Sequence, residues 1–272
     1  MPELPEVETT CRGIENHVTG ARVSEVIVRR GDLRQPVPTS LDEITGQRIT
    51  GVWRRAKYIL LDIADGSCVL IHLGMSGNLR LVPPEEDWKK HDHLAVTLGR
   101  RLQLRFHDPR RFGLVLHLPE GGALAHPLLR DLGPEPLEAG FTADYLRGRC
   151  ANRAAAIKLV IMDGHVVVGV GNIYASEALF QAGIRPHTAA QRVSPARLEK
   201  LVQAIRTVLT DAIAAGGTTL RDFLHSDGTP GYFSQRLLVY GRQGQPCGAC
   251  GGTIRHAVLG QRATYWCPQC QR

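Results

Sequence analysis

Apolar side chains recur at steps of three and four from the first residues: Leu4, Val7, Cys11, Ile14 and Val18. That spacing lines one stripe of an α-helix. Pro5 suits its first turn, and Glu6 and Glu8 suit the positive end of a helix dipole. From residue 21 to 118 the pattern changes to short apolar runs. They fall at Val23, Ile27, Val52, Tyr58 to Leu61, Val69 to Ile71, Val96, Leu102 to Phe106 and Leu114 to Leu116. Asp65-Gly66 between two of them is a hairpin-turn dipeptide. Several short strands with no helix between them predict a sandwich or barrel.

Residues 119–140 are rich in glycine and proline and read as a linker. Helical patterns follow. One runs from Ala154 to Met162. A second begins with Asn172 as N-cap and ends at Gly183. A third opens at Ser194-Pro195, buries Leu198, Val202, Ile205, Leu209 and Ile213, and stops at Gly216-Gly217. The expected fold is α+β in two domains. A β-sandwich with a leading helix occupies 1–130 and a hinge 131–150. A helical domain covers 151–235, and a small cysteine module 236–272.

The seven cysteines refine the last assignment. Cys247-x2-Cys250 and Cys267-x2-Cys270, sixteen residues apart, match a four-cysteine zinc site. The intervening length is that of a β-hairpin. Four sulfurs leave zinc no open position, so the ion is read as structural. Residues 241–272 also carry four arginines and no acid. At the expected hairpin tip, 260–264, Arg262 reads equally as a groove-entering side chain or a solvated loop arginine.

Composition excludes other classes. With 43% hydrophobic and 22% charged residues the chain is neither disordered, collagenous nor a disulfide scaffold. No run approaches the roughly 18 apolar residues of a membrane span. The acidic, proline-bearing start is not a signal peptide, and a cytoplasmic protein is expected. The net charge of +7 leans toward a polyanion. Arg100, Arg101, Arg105, Arg110 and Arg111 cluster in one stretch, and a second basic patch lies in the cysteine module. Two such patches on two domains point to a duplex held between them.

Pro2 adds candidate chemistry. Removal of Met1 would leave a secondary amine titrating at roughly 7.7–8.0, well below lysine. Such an amine attacks an aldehyde-level carbon to give a cationic iminium, an electron sink. Glu3 next to it is placed for general acid–base work. The residues alone favour the plainer reading, that Pro2 and Pro5 only shape a helix start.

Longer motifs weigh on that choice. Pro2-Glu3-Leu4-Pro5-Glu6-Val7-Glu8-Thr9, Arg54-Arg55-Ala56-Lys57-Tyr58 and His72-Leu73-Gly74-Met75-Ser76-Gly77 stand in order. Asp108-Pro109-Arg110-Arg111-Phe112-Gly113, Val168 to Glu177, Ser226-Asp227-Gly228 and the zinc module follow. The series resembles bacterial formamidopyrimidine-DNA glycosylases along essentially the whole chain. The resemblance implies a bifunctional glycosylase and abasic-site lyase acting on oxidised purines in damaged double-stranded DNA, with one Zn²⁺. It makes Pro2 the Schiff-base nucleophile and Glu3 the proton relay, with Lys57 and Arg262 completing the catalytic set. His72 and Asn172 join Lys57 as phosphate grips, and Glu6 is counted with the DNA-contacting residues. Met75, Arg110 and Phe112 resemble the family's intercalating trio, and 153–183 its helix–two-turn–helix. Residues 218–233 resemble the loop that closes over a flipped base. Family members often carry several lysines where Asn152-Arg153 stands here. Two other readings are a non-catalytic zinc-ribbon DNA-binding protein and the sister endonuclease VIII type, which opens Pro-Glu-Gly-Pro-Glu. A monomer bound to DNA, with no membrane association, is expected.

Overall fold

The structure, a computed structural model, describes residues 2–218 and 236–272; most of the 218–233 loop lies outside them. The chain divides into two units, Met1–Arg130 with Ala215–Tyr232, and Asp131–Ala214 with Phe233–Arg272.

The first unit opens with α1, Leu4–Val18, whose expected stripe is buried throughout. Glu3 and Glu6 form a capping box at its start. The stripe joins the core of a sandwich of two four-stranded antiparallel sheets. The strands are β1 (Val23–Val28), β2 (Ile49–Arg55), β3 (Tyr58–Ile63), β4 (Cys68–His72), β5 (Asn78–Val82), β6 (Asp92–Leu98), β7 (Leu102–His107) and β8 (Leu114–Leu118). One sheet has the order β1-β6-β7-β5, the other β2-β3-β4-β8. Alternate residues meet in the core: Ile59, Leu61 and Ile63 from β3, Val69 and Ile71 from β4, Leu94, Val96 and Leu98 from β6. Each buried aliphatic side chain contributes about 2 kcal/mol. Gly66, at a φ of +85°, turns the β3–β4 hairpin where Asp65-Gly66 predicts it.

Two sequence expectations in this unit need correction. β5 is absent from the apolar pattern because Asn78 and Arg80 in it are polar yet buried. Arg80 is accommodated there by buried Asp92, 2.6 Å away, and by Glu86 at 2.9 Å. The arginine cluster of 100–111 is not one patch. Arg105 is fully buried. It donates to Gln103 Oε1 and to the carbonyls of Pro84, Glu86 and Asp87, and its guanidinium lies 4.5 Å from the centre of the Trp88 ring. Arg100 and Arg101 turn between β6 and β7, whereas Arg110 and Arg111 follow the far end of β7. A six-residue strand separates the pairs by about 17 Å or more.

The second unit is helical: α3 (Ala143–Cys150), α4 (Ile157–Met162), α5 (Asn172–Gln181) and α6 (Pro195–Ala214), followed by β9 (Arg255–Leu259) and β10 (Arg262–Trp266). α2, Gly122–Ala125, is a single turn belonging to the first unit. α3 lies within the stretch read as a hinge and buries Leu146 and Cys150. α4 starts at Ile157 rather than Ala154. The preceding residues pair instead with 189–191: Ala190 N donates to Ala155 O at 2.9 Å and Gln191 N to Arg153 O at 3.0 Å. Asn172 does not cap α5. Gly171 holds the cap position, and Asn172 is the first helical residue. α6 begins at Pro195 as expected, but Ile213 is only half-buried and Ala212 is buried. Steps of four and three from Leu198 through Val202, Ile205 and Leu209 lead to 212. Among the described residues no helix is long and apolar enough to cross a membrane.

Glu177 on α5 joins the helices to the segment leading into the cysteine module. Its buried carboxyl accepts the backbone N–H groups of Leu238 (2.8 Å), Val239 (3.0 Å) and Tyr240 (2.8 Å). Burial pushes its pKa up, against the three donors that favour the charged form. Glu177→Ala leaves these donors unmet, which should cost about 3 kcal/mol. Denaturant unfolding of the variant beside the parent measures this, and equal midpoints would refute it.

Candidate functional site

In the first unit, the chain start is held tightly. Pro2 is buried, Glu3 is 3% exposed and Glu6 is 2% exposed. Glu6 Oε2 accepts Glu3 N at 2.7 Å, and its Oε1 accepts Thr218 N at 2.7 Å. Gly217 makes the approach possible: at its φ of +79°, a Cβ there would stand 3.1 Å from Glu6 Oε1. Glu6, expected among DNA contacts, therefore clamps residue 3 and residue 218 onto the first turn of α1. Further along α1, Glu8 accepts Arg54 Nε and Arg12 Nε, each at 2.7 Å. Burial raises the Glu8 pKa, but the two guanidiniums outweigh it and hold the carboxyl below its usual range.

Arg54 carries this frame to the β2–β3 hairpin, donating through Nη1 to Ala56 O at 2.9 Å. Ala56 turns the chain at a φ of +55°, and Lys57 stands beside it at the tip. Tyr58 lies opposite His72 in the ladder, their rings 5.0 Å apart. His72 is 8% exposed. Burial first, then Arg34 and Lys57, push its pKa down to about 4. The ring is thus neutral near pH 7. Its Nδ1 accepts Gly74 N at 2.9 Å, which leaves the proton on Nε2 as a donor.

Met75 occupies the turn after β4 and is half-buried; Arg110 and Phe112 are exposed in the loop after β7. The two loops touch through backbone. A Cβ on Gly74 would lie 2.5 Å from Gly113 N and from the Phe112 carbonyl carbon, so only glycine fits. The Arg110 guanidinium sits 5.1 Å over the Phe112 ring.

In the second unit, Asn172 uses its side chain sideways. Nδ2 donates to Ala263 O (2.9 Å) and Tyr240 Oη (3.4 Å), and Oδ1 accepts from Lys158 Nζ at 2.7 Å. Lys158 is fully buried and donates also to Thr264 Oγ1 (2.7 Å) and Ala263 O (3.1 Å). Sequence reasoning missed Lys158. The available signal was one cation inside the apolar run Ile157-Lys158-Leu159-Val160-Ile161. The β9–β10 turn is Gly260-Gln261, both at positive φ, so Arg262 is the first residue of β10 rather than the tip. Gly260 seats the turn on α4, where a Cβ would meet Leu159 Cδ2 at 2.6 Å. Val258, opposite Ala263, is 70% exposed.

The four C-terminal cysteines converge. Their Sγ atoms all lie within 4.8 Å of one another, Cys247 to Cys270 at 3.8 Å and Cys250 to Cys267 at 3.4 Å. Tetrahedral zinc with arms of about 2.3 Å sets its sulfurs about 3.8 Å apart, so the donor set fits the ion. Both knuckles close alike: Gly251 N donates to Cys247 O at 2.8 Å and Gln271 N to Cys267 O at 3.0 Å. Buried Gln271 ties the second knuckle to the helices through Ile184 O at 2.8 Å. Among the described residues, the buried members of the module's own core are Val239, Ile254, Cys247 and Cys267. So small a core depends on the metal.

Two expectations follow. The buried His72 ring resists a proton until about pH 4, while the unfolded chain accepts one near 6.5. The folded state therefore loses stability as pH falls between those values, by about 3 kcal/mol in full. His72→Gln removes that loss, and denaturant curves at pH 7 and pH 4.5 should show a shallower acid decline; parallel declines would refute it. Metal analysis should find one zinc per chain, and Cys250→Ser should lower it; zinc-free protein with a folded hairpin by NMR would contradict the assignment.

Comparison with known proteins agrees with this architecture. Family models match in succession: the formamidopyrimidine-DNA glycosylase N-terminal domain over residues 1–115 and the H2TH domain of the same enzymes over 132–224. The zinc finger found in FPG and IleRS matches 244–272. A formamidopyrimidine-DNA glycosylase of Thioalkalivibrio sulfidiphilus is 59% identical over 100% of both chains. The Lactococcus lactis Fpg in complex with abasic-site DNA is 32% identical, with a TM-score of 0.92 over 99% of each chain. The same protein bound to Fapy-dG DNA gives 31% and 0.91, over 99% of this chain and 100% of that one. The chain belongs to the formamidopyrimidine-DNA glycosylase family.

Proposed function

We propose that this enzyme flips oxidised purines, 8-oxoguanine and formamidopyrimidines, out of duplex DNA, excises them and nicks the strand. A base inside a duplex shields its sugar C1′, so the nucleotide must leave the stack first. Met75 and Phe112 fill the space left behind, and Arg110 meets the orphaned cytosine. The freed amine of Pro2 attacks C1′ as the bond to the base breaks. Glu3 protonates the opening sugar oxygen, and the departing base carries the bonding pair and takes up the proton that the Pro2 nitrogen releases. The product is an iminium between Pro2 and C1′. It acidifies the C2′ proton, which the Glu3 carboxylate takes up as the 3′ phosphate leaves by β-elimination. The conjugated iminium then acidifies the C4′ proton, which passes to water as the 5′ phosphate leaves by δ-elimination. Water then releases Pro2.

The observation carrying this reading is the buried Pro2–Glu3 pair, fixed at the head of α1 by Glu6. An attacking amine gains from being held rather than free. Lys57 at its hairpin tip and His72, through Nε2–H, grip phosphates in the first unit. In the second, Arg262 does so through its side chain and Asn172 through its backbone N–H at the head of α5. The Lactococcus lactis relatives bound to abasic and Fapy-dG DNA support damaged duplex as the partner. The four-sulfur zinc supplies no chemistry and sets the hairpin that carries Arg262.

Borohydride added to protein and oxidised-guanine duplex should trap a covalent adduct. Pro2→Gly weakens the trap, and Glu3→Gln blocks base removal while leaving binding. One residue retained before Pro2 abolishes both. Absence of any adduct with oxidised or abasic DNA would sink the reading, and preference for oxidised pyrimidines would move the enzyme to the sister branch.

A further inference from the structure

Two loops carry the three side chains that enter the DNA stack, and one buried carboxylate fastens them together. Asp108 is 0% exposed. Its Oδ2 accepts Gly113 N at 2.7 Å, and its Oδ1 accepts Arg110 N at 3.3 Å, both within the loop of Arg110 and Phe112. The same Oδ1 accepts Ser76 Oγ at 3.3 Å, and buried Ser76 follows Met75 directly.

The main chain of Asp108 is fixed as well. Its N–H donates to His91 O at 3.0 Å, and its carbonyl accepts His93 Nε2 at 2.7 Å. Close packing leaves the carboxylate no slack. A Cβ on Gly113 would stand 2.9 Å from Asp108 Oδ2, 3.0 Å from His72 O and 2.4 Å from the Phe106 ring.

We infer that Asp108 is a positioning residue for duplex opening. It locks the Met75 loop to the Arg110–Phe112 loop so that all three side chains enter the stack as one rigid wedge. Asp108 touches no DNA in this role. Without the lock each loop would have to be ordered separately during insertion, an entropy cost met at the flipping step. The proline chemistry beyond that step does not pass through it. The inference rests on the proposed excision of oxidised purines.

Asp108→Asn tests it. The amide keeps the shape but directs an NH2 at donors that need an acceptor. Single-turnover excision is measured on oxidised guanine paired in a full duplex, and on the same lesion in an unpaired bulge that is already unstacked. The variant should lose roughly 10- to 100-fold on the paired substrate, the size of a lost charged hydrogen bond. It should lose far less on the bulge. A 2-aminopurine beside the paired lesion should show slower wedge insertion. Ser76→Ala, which removes one hydroxyl and keeps the fold, should show the same split at smaller amplitude, and it decides the question if Asp108→Asn does not fold. Equal losses on both substrates, or parental rates on the paired one, would overturn the lock. Parent protein that excises nothing and forms no trapped adduct would overturn the excision reading, and the lock with it.

Discussion

The second unit is organised around one buried ammonium. Lys158 Nζ reaches Asn172 Oδ1, Thr264 Oγ1 and Ala263 O, and so binds α4 to the head of α5 and to β10. A lysine taken out of water loses several kcal/mol of hydration, which only close polar acceptors restore. The site cannot form piecemeal: until α5 and β10 are in place the cation has nowhere to go. That requirement orients Asn172 and ties the hairpin bearing Arg262 to α4 and α5. Glu177 repeats the logic with opposite sign, one carboxyl gathering three backbone donors.

The first unit is organised by closeness instead. Glycines at 74 and 113 let backbone come within contact of loops and a carboxylate where a Cβ would not fit, and Gly217, at positive φ, brings residue 218 close to Glu6. The polar groups at those contacts, Glu6 and Asp108, are acceptors of backbone N–H groups. A scaffold built this way ties the chain start and the two loops to buried acceptors, which suits chemistry that demands tight placement.

What could be read in advance follows from range. The stripe of α1, the Asp65-Gly66 turn and the two cysteine pairs are local patterns with a single physical solution, and they hold. β5 was illegible because Arg80 becomes acceptable inside only through Asp92, twelve residues away. The expected helix start at Ala154 fails because a distant segment, 189–191, offers its backbone better partners. Asn172 reads locally as a cap, yet Gly171 holds that position, and the carbonyl that Asn172 Nδ2 meets, at Ala263, lies ninety-one residues on. Arg105 counts as surface charge in any tally of composition and is buried in fact. Sequence motifs singled out the candidate positions; long-range polar pairing decided which partner each side chain meets there.

In the phosphate-gripping role proposed for His72, its neutrality has a consequence for how a polyanion is held. Arginine and lysine contacts release condensed counterions, so their strength falls steeply with ionic strength. A neutral imidazole donating one N–H displaces no cation, and its grip on a phosphate oxygen is nearly indifferent to salt. As salt strips away the long-range attraction, the contact proposed at His72 would survive as a short-range fix on register. Under that proposal capture and alignment of the duplex fall to different residues, and ionic strength acts chiefly on the first.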